Sequence, residues 1–337
     1  MSLSSERRVG LMFTGTPSVP EMVDVARRAE HNGFESIWVA ETRITRDAFV
    51  PAAAIAQGTT TIRVGTGIVN VFTRNPVLLA TSFLSLHELA PGRTVMGLGS
   101  GSETVLSQQG FDYHKPLTRL RTYSDAIGRL LRGESVTLDE GPVRLRDARI
   151  EDVVSSDGQA LRAYLPQYLA ANGPRTLRFV GETADGFLSD VCLPTEVFEE
   201  KLEIVHEAAQ KAGRSTEDID IGAVVLCSPH EDVQVARDAV RPVVAMYLGW
   251  TGGVGDELGL DPAFVEELKA ALDEGGPVAG AALVPDELVD TLTVAGDPAT
   301  CLDRIDAYRA AGADFVVLAP VETAIDETVR LLAPSDV

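Results

Sequence analysis

Cysteine, lysine and long uninterrupted apolar sequence are scarce in this chain. Its three cysteines, Cys192, Cys227 and Cys301, are an odd number without CxxC spacing, so neither a disulfide framework nor a zinc knuckle is indicated. Cys192 and Cys227 fall near the ends of strand-like runs, where a site could use them, but a buried, inert thiol is the simpler reading. Lysine occurs only at Lys115, Lys201, Lys211 and Lys269, so nearly all positive charge is arginine. Acidic residues outnumber basic ones by 50 to 29, a net charge of −21, which would repel nucleic acid and anionic membrane surfaces. That surface suits a salt-adapted cytoplasm or a GC-rich genome, and composition does not choose between them. No run approaches the roughly 18 apolar residues of a membrane helix. The start, MSLSSERRVG, has no apolar signal-peptide core, so a soluble cytoplasmic protein is expected. GxSxG, P-loop and HExxH patterns are missing, and the five histidines show no metal-ligand spacing, so no metal is expected.

What remains is ordinary globular material: 45% apolar and 23% charged residues over 337 positions, enough for a large core. Eight short buried-type runs alternate with helix-length segments: Val9–Phe13, Ser36–Val39, Ile62–Thr66, Thr94–Leu98, Tyr168–Ala171, Gly186–Ser189, Ile219–Leu226 and Phe315–Leu318. Eight parallel strands close a (β/α)8 TIM barrel, here read as one domain over residues 1–337. Helix punctuation agrees. Val19–Asn32 is amphipathic and stops at Gly33, while Asn75-Pro76, Asp261-Pro262 and Asp297-Pro298 each set a cap before an N1 proline. Two stretches exceed the plain repeat: about 133–167, whose VTLDEGPVRLRDARI reads as a small β excursion, and about 247–293, which carries an extra helix closing at Gly275-Gly276. Both are expected as insertions at the C-terminal face of the strands, walling the site.

Three Gly-rich turns follow predicted strands. Gly65-Thr66-Gly67-Ile68-Val69-Asn70 suggests a bulge at the barrel rim, or simply a kinked strand end. Gly97-Leu98-Gly99-Ser100-Gly101 invites a dinucleotide-binding reading, but a third glycine would fall at Ser102 and the element spacing suits a barrel. A tight turn that lets a ligand ring approach bare backbone fits better. Asn172-Gly173-Pro174-Arg175-Thr176 opens a helix with free amides and a cation, suited to a phosphate, or is an ordinary capped helix start. Glu41, Glu103 and Asp190 are carboxylates near strand ends, any of which could serve as a general acid or base.

Together, GFESIWVAE ahead of Arg46-Asp47, VGTGIVNVFTRNP, LHELAPGR leading to GLGSG, QYLAANGPRTLRFVGETADGFL and LTVAGDPATCLDRIDAYRAAGADFVVL resemble the luciferase-like superfamily of flavin- and deazaflavin-dependent oxidoreductases. The likeness runs from about Val9 to Leu318. Within it, TGIVN followed by TRNP, and the GSGSETVLSQQG loop, are most similar to the coenzyme F420 branch, especially the methylenetetrahydromethanopterin reductases.

The resemblance implies a non-prolyl cis peptide at Gly67-Ile68 backing a bent deazaflavin ring. It implies that Gly67, Ile68 and Asn70 lie behind the ring, that Gly99, Ser100 and Gly101 border it, and that Asn172, Gly173, Pro174, Arg175 and Thr176 hold its phosphate. Glu41 or Glu103 would be proton donor or polar anchor. The reaction implied is hydride transfer between F420 and a small electrophile such as 5,10-methylenetetrahydromethanopterin or a related tetrahydropterin, in a homodimer. An FMN-dependent monooxygenase is the alternative, and a non-catalytic flavin-binding protein a further one. Two positions depart from the family: an Asp-His pair after the second strand is Glu41-Thr42 here, and the acidic residue after the fourth-strand GxG is Ser102, with Glu103 one step later.

Overall fold

In a computed structural model, residues 8–151, 163–250 and 254–334 are described. Eight parallel strands close on one another: β1 (Val9–Phe13), β2 (Ser36–Val39), β3 (Arg63–Thr66), β4 (Thr94–Gly99), β5 (Gln167–Ala170), β6 (Gly186–Leu188), β7 (Asp220–Pro229) and β8 (Phe315–Pro320). Each pairs with its sequence neighbours, and β8 returns to β1 through Val9↔Val316 and Leu11↔Leu318. This is the (β/α)8 barrel expected. Runs such as VGLMF and FVVLAP are buried at every position because they face helices outside and side chains inside, which removes the polar alternation of a half-exposed strand.

The interior is filled by Met12, Trp38, Val95, Tyr168, Leu188, Val224, Phe315, Val317 and Ala319. Near the strand starts, Trp38 and Phe315 stack at 6.1 Å, and Tyr168 meets both edge-on at 5.3 and 6.0 Å. Glycines on neighbouring strands make the room. A Cβ at Gly186 would lie 2.3 Å from the Tyr168 ring, and one at Gly222 would lie 2.5 Å from Phe315. Polar groups finish this N-terminal mouth. Asp220 accepts from Arg8 through both carboxylate oxygens at 2.8 and 3.0 Å and from the Tyr168 hydroxyl at 2.5 Å, while Arg8 also donates to Glu35 at 2.8 Å.

The helix signals hold. Helix Val19–His31 ends before Gly33 at φ 83°, Asn75 accepts from the Leu78 amide, and Asp297 accepts from that of Thr300. Helix Pro262–Ala281 is broken at Gly276, where the backbone turns to φ 70°, the position at which the sequence ended it.

One insertion stands where expected. Helices Val233–Trp250, Val254–Glu257, Pro262–Ala281 and Asp286–Leu292 leave from the end of β7, and strand Val294–Gly296 returns to pair with Cys227–Pro229 there. The 133–167 segment does form a β excursion, an antiparallel hairpin of Val136–Leu138 and Leu145–Ala148, but its placement is corrected. It joins the end of helix Pro116–Leu131 to the start of β5, and that helix has already carried the chain back to the strand starts. Both ends of the excursion therefore lie at the N-terminal mouth, where the amide of Gln167 donates to Asp185. Residues 152–162 of this segment lie outside the described part.

Candidate functional site at the C-terminal mouth

The chain leaves β3 at Thr66 and enters a cis peptide between Gly67 and Ile68, before Val69–Asn70 pairs with Leu98–Gly99 of β4. The implied non-prolyl cis bond is therefore present. Gly67 donates to Val39 at 2.8 Å, and the Thr66 hydroxyl donates to the Gly97 carbonyl at 2.7 Å, fixing the bulge from both sides. Two β4 glycines are explained by this turn. A Cβ at Gly97 would stand 1.7 Å from the Thr66 carbonyl oxygen, and one at Gly99 would stand 2.8 Å from the end of Ile68. Gly99 thus takes the Ile68 side chain, rather than offering bare backbone to a ligand. Ile68 is half-buried, resting on the barrel interior with one side left at the mouth.

Asn70 is buried, and its side chain is engaged by its own chain. Its Oδ1 accepts from the amides of Phe72 and Thr73, each at 2.9 Å, which folds the turn leading to Arg74. Its Nδ2 donates to Glu41 at 3.3 Å. Glu41, with a side chain only 10% exposed, is paired with Arg74 at 2.6 Å, and its other contact is the Ala48 amide at 3.3 Å. A carboxylate so held is an anchor for the turn. Gly101 turns at φ 72°, and its carbonyl accepts from the Tyr113 hydroxyl at 3.2 Å, while Ser100 is half-buried beside it. Glu103 is exposed in the first turn of helix Glu103–Gln108.

Across the mouth, Asn172 and Gly173 follow β5, and helix Pro174–Thr183 starts there without a capping side chain. Gly173, Pro174 and Arg175 are exposed, Thr176 is half-buried, and the space where a Gly173 Cβ would point is open. Beneath them lies a cation the sequence reading did not select. Lys201 Nζ donates to the Asn172 carbonyl at 3.0 Å, to its Oδ1 at 2.5 Å and to Glu257 at 3.1 Å, with only 8% of its side chain exposed. The signal was available: in helix Thr195–Lys211, Lys201 shares the buried stripe of Phe198, Leu202, Val205 and Ala209, a place for an apolar residue.

Next to it, Asp190 follows β6 and accepts from the Tyr247 hydroxyl at 3.1 Å. Burial pushes its carboxyl above the usual range, against the Tyr247 hydrogen bond and the Lys201 charge. Cys192, Cys227 and Cys301 are free and buried, and burial pushes all three thiols up, Cys301 to about 12; they fill space, as expected.

A closed parallel barrel whose polar side chains and cis bulge converge on the C-terminal mouth is, by class, a barrel enzyme of loop-built site. The chain belongs to the luciferase-like monooxygenase family, which matches residues 2–314. It is 29% identical over 327 residues to a 5,10-methylenetetrahydromethanopterin reductase of Methanolobus tindarius, covering 96% of this chain and 97% of that protein. It is likewise 29% identical over 318 residues to an F420-dependent glucose-6-phosphate dehydrogenase of Nocardia farcinica, covering 88% and 87%. The solved structure of the coenzyme F420-dependent tetrahydromethanopterin reductase from Methanopyrus kandleri superposes with a TM-score of 0.84 at 26% identity, covering 97% and 98% of the two chains. Among the described residues, no helix is long and apolar enough to cross a membrane.

Proposed function

We propose that the chain is a coenzyme F420-dependent oxidoreductase that exchanges hydride between the deazaflavin and a small electrophile, with 5,10-methylenetetrahydromethanopterin or a related tetrahydropterin as substrate. The observation that carries this reading is the Gly67-Ile68 cis bulge, which leaves Ile68 as a half-buried apolar shelf at the mouth, locked from behind by Gly97 and Gly99. Relatives of nearly equal length named for F420 support the choice of cofactor.

The residues present fit such a group. The open space over Gly173 and the uncapped helix start beside Arg175 and Thr176 suit its phosphate, and Lys201 adds positive potential from below. When bound, the deazaflavin supplies the hydride. The protein orients it: Ile68 backs the ring, Gly67 and Asn70 fix the bulge, Glu41 and Arg74 hold the ring-edge side rigid, and Ser100 and Gly101 border the opening. The reaction stays in the cell interior, in a homodimer, as for a soluble enzyme of small molecules.

Fluorescence titration of the apoprotein with F420 and with FMN tests this. Micromolar binding of F420 with FMN ignored is expected, followed by turnover of the reduced cofactor with 5,10-methylenetetrahydromethanopterin. Tight FMN binding with F420 ignored would replace the proposal by the monooxygenase reading that the family name keeps open. F420 binding without turnover of any acceptor would favour a flavin-carrying protein.

A further inference from the structure

The three carboxylates that the sequence offered near strand ends, Glu41, Glu103 and Asp190, have different surroundings. Glu41 is ion-paired with Arg74 and Glu103 stands in solvent. Asp190 is recessed without being sealed: neighbouring elements enclose it, yet solvent touches part of the residue. The cation on its side, Lys201, is directed at Asn172 and Glu257. What meets the carboxyl is the Tyr247 hydroxyl at 3.1 Å from helix Val233–Trp250, with the Val191 amide on its own loop. Its flanking residue Val191 packs on the same interior cluster as Ile68.

We propose that Asp190 is the acid–base residue of this mouth, positioned by Tyr247, and that it gives a proton to the substrate's amine nitrogen while hydride goes to the neighbouring carbon. The assignment rests on the F420-dependent reading above. For a methylene-bridged diamine, the Asp190 proton moves to one nitrogen as its bond to the bridging carbon breaks, leaving a carbon–nitrogen double bond with positive charge on the second nitrogen. Hydride, with its two electrons, comes from the reduced cofactor and converts that carbon to a methyl group. The cofactor leaves oxidised, its remaining proton passes to solvent, and the Asp190 carboxylate regains a proton from solvent.

The groups around the carboxyl favour a held proton. Burial acts most strongly, Glu257 acts in the same direction, and the Tyr247 hydrogen bond and the Lys201 charge oppose. Cys192 and Tyr247 are themselves pushed up by burial and by Asp190, so both stay neutral. Donation therefore requires the protonated form, and the forward rate falls as pH rises through the Asp190 titration.

The test uses Asp190→Asn and Tyr247→Phe in the full chain, with three readouts. F420 affinity by fluorescence is expected to stay within about twofold of wild type. Turnover of 5,10-methylenetetrahydromethanopterin is expected to fall about 100-fold in Asp190→Asn, with the alkaline limb lost. Tyr247→Phe is expected to keep that limb and move it to higher pH, because the charged carboxylate loses a donor. Infrared difference spectra of the cofactor-free protein should show a protonated carboxyl band that persists above the usual carboxylate titration range and is missing in Asp190→Asn. A wild-type spectrum without that band, or an Asp190→Asn enzyme with unchanged rate and pH profile, would overturn the assignment. Failure of wild-type protein to bind F420 would instead overturn the functional reading, so the two failures are distinguishable.

Discussion

Asp220 and Asp190 stand at opposite mouths of the same barrel, and both are drawn into protein. Burial acts to raise the pKa of each. At the N-terminal mouth that push is overcome: hydrogen bonds from Arg8 and Tyr168, and the charges of Arg8 and Arg63, hold Asp220 below the usual carboxylate range. At the C-terminal mouth one hydroxyl, the Val191 amide and a diverted lysine are too little, and Asp190 ends above it. The contrast extends to packing. Glycines at the lower end admit Trp38, Tyr168 and Phe315 as a plug, whereas glycines at the upper end admit a bend of backbone and leave Ile68 at the surface of an opening. One end is closed by matched charge and aromatic volume; the other holds a carboxyl that burial pushes above its usual range.

The comparison breaks most readily at the plug. Asp220→Ala leaves Arg8, Arg63 and the Tyr168 hydroxyl without their shared acceptor. Removing one partner of a buried ionic cluster typically costs 3–5 kcal/mol, and because the Arg8 side chain is 39% exposed the lower end applies, about 3 kcal/mol. The urea midpoint should fall with its slope unchanged, while F420 affinity of the folded protein stays put. A loss below about 1 kcal/mol would mean the lower end is held by aromatic packing alone.

A smaller effect is expected at the rim of the open end. Arg74→Ala strands Glu41, whose contacts to Asn70 and Ala48 are both long at 3.3 Å. About 2 kcal/mol of stability should be lost, with F420 binding weakened about tenfold as the Asn70–Arg74 turn loosens. Adding Glu41→Gln should recover at least half of the stability loss, since the stranded charge is then gone. Simple additivity of the two changes would show that Arg74 acts through its contact with Phe49, 5.3 Å away, rather than through Glu41.

The barrel could be read from the sequence because each strand is a local apolar run and the turn residues sit beside it. Where a strand end depended on a distant partner, the local signal fell short. β7 runs on to Pro229 because Val294–Gly296 pairs with its end, 67 residues after Cys227. The hairpin at Val136–Ala148 was visible as β, but its mouth was set by whether it follows a strand or a helix, and here it follows a helix. The same limit divides the site. Gly67, Ile68, Asn70 and Glu41 belong to two adjacent strand ends with compact motifs. Asp190, Lys201 and Tyr247 come from three elements, and the Asp190–Tyr247 hydrogen bond spans 57 residues. Asp190 was visible as a strand-end carboxylate and Lys201 as a lysine on an apolar helix stripe, but their meeting with Tyr247 was not.

The finest distinction between the two ends concerns acid. Glu30, at the end of helix Val19–His31 and on the N-terminal side, is half-buried and accepts from the amides of Thr60, Thr61 and Ile62 at 2.8, 2.6 and 2.9 Å. Burial works against its charge, but these donors and the Thr61 hydroxyl win and pull it to about 2 from an ordinary 4.5. Because the folded value lies below the unfolded one, the stabilisation is present above pH 4.5 and fades as pH falls towards 2. Partial exposure screens it, so Glu30→Gln should cost about 1 kcal/mol at neutral pH. Wild type and variant should converge in acid, as followed by urea midpoints across that window. Parallel curves would mean that the three amides are satisfied equally well by a neutral oxygen, and that the closed end does not depend on charged carboxylates beyond Asp220.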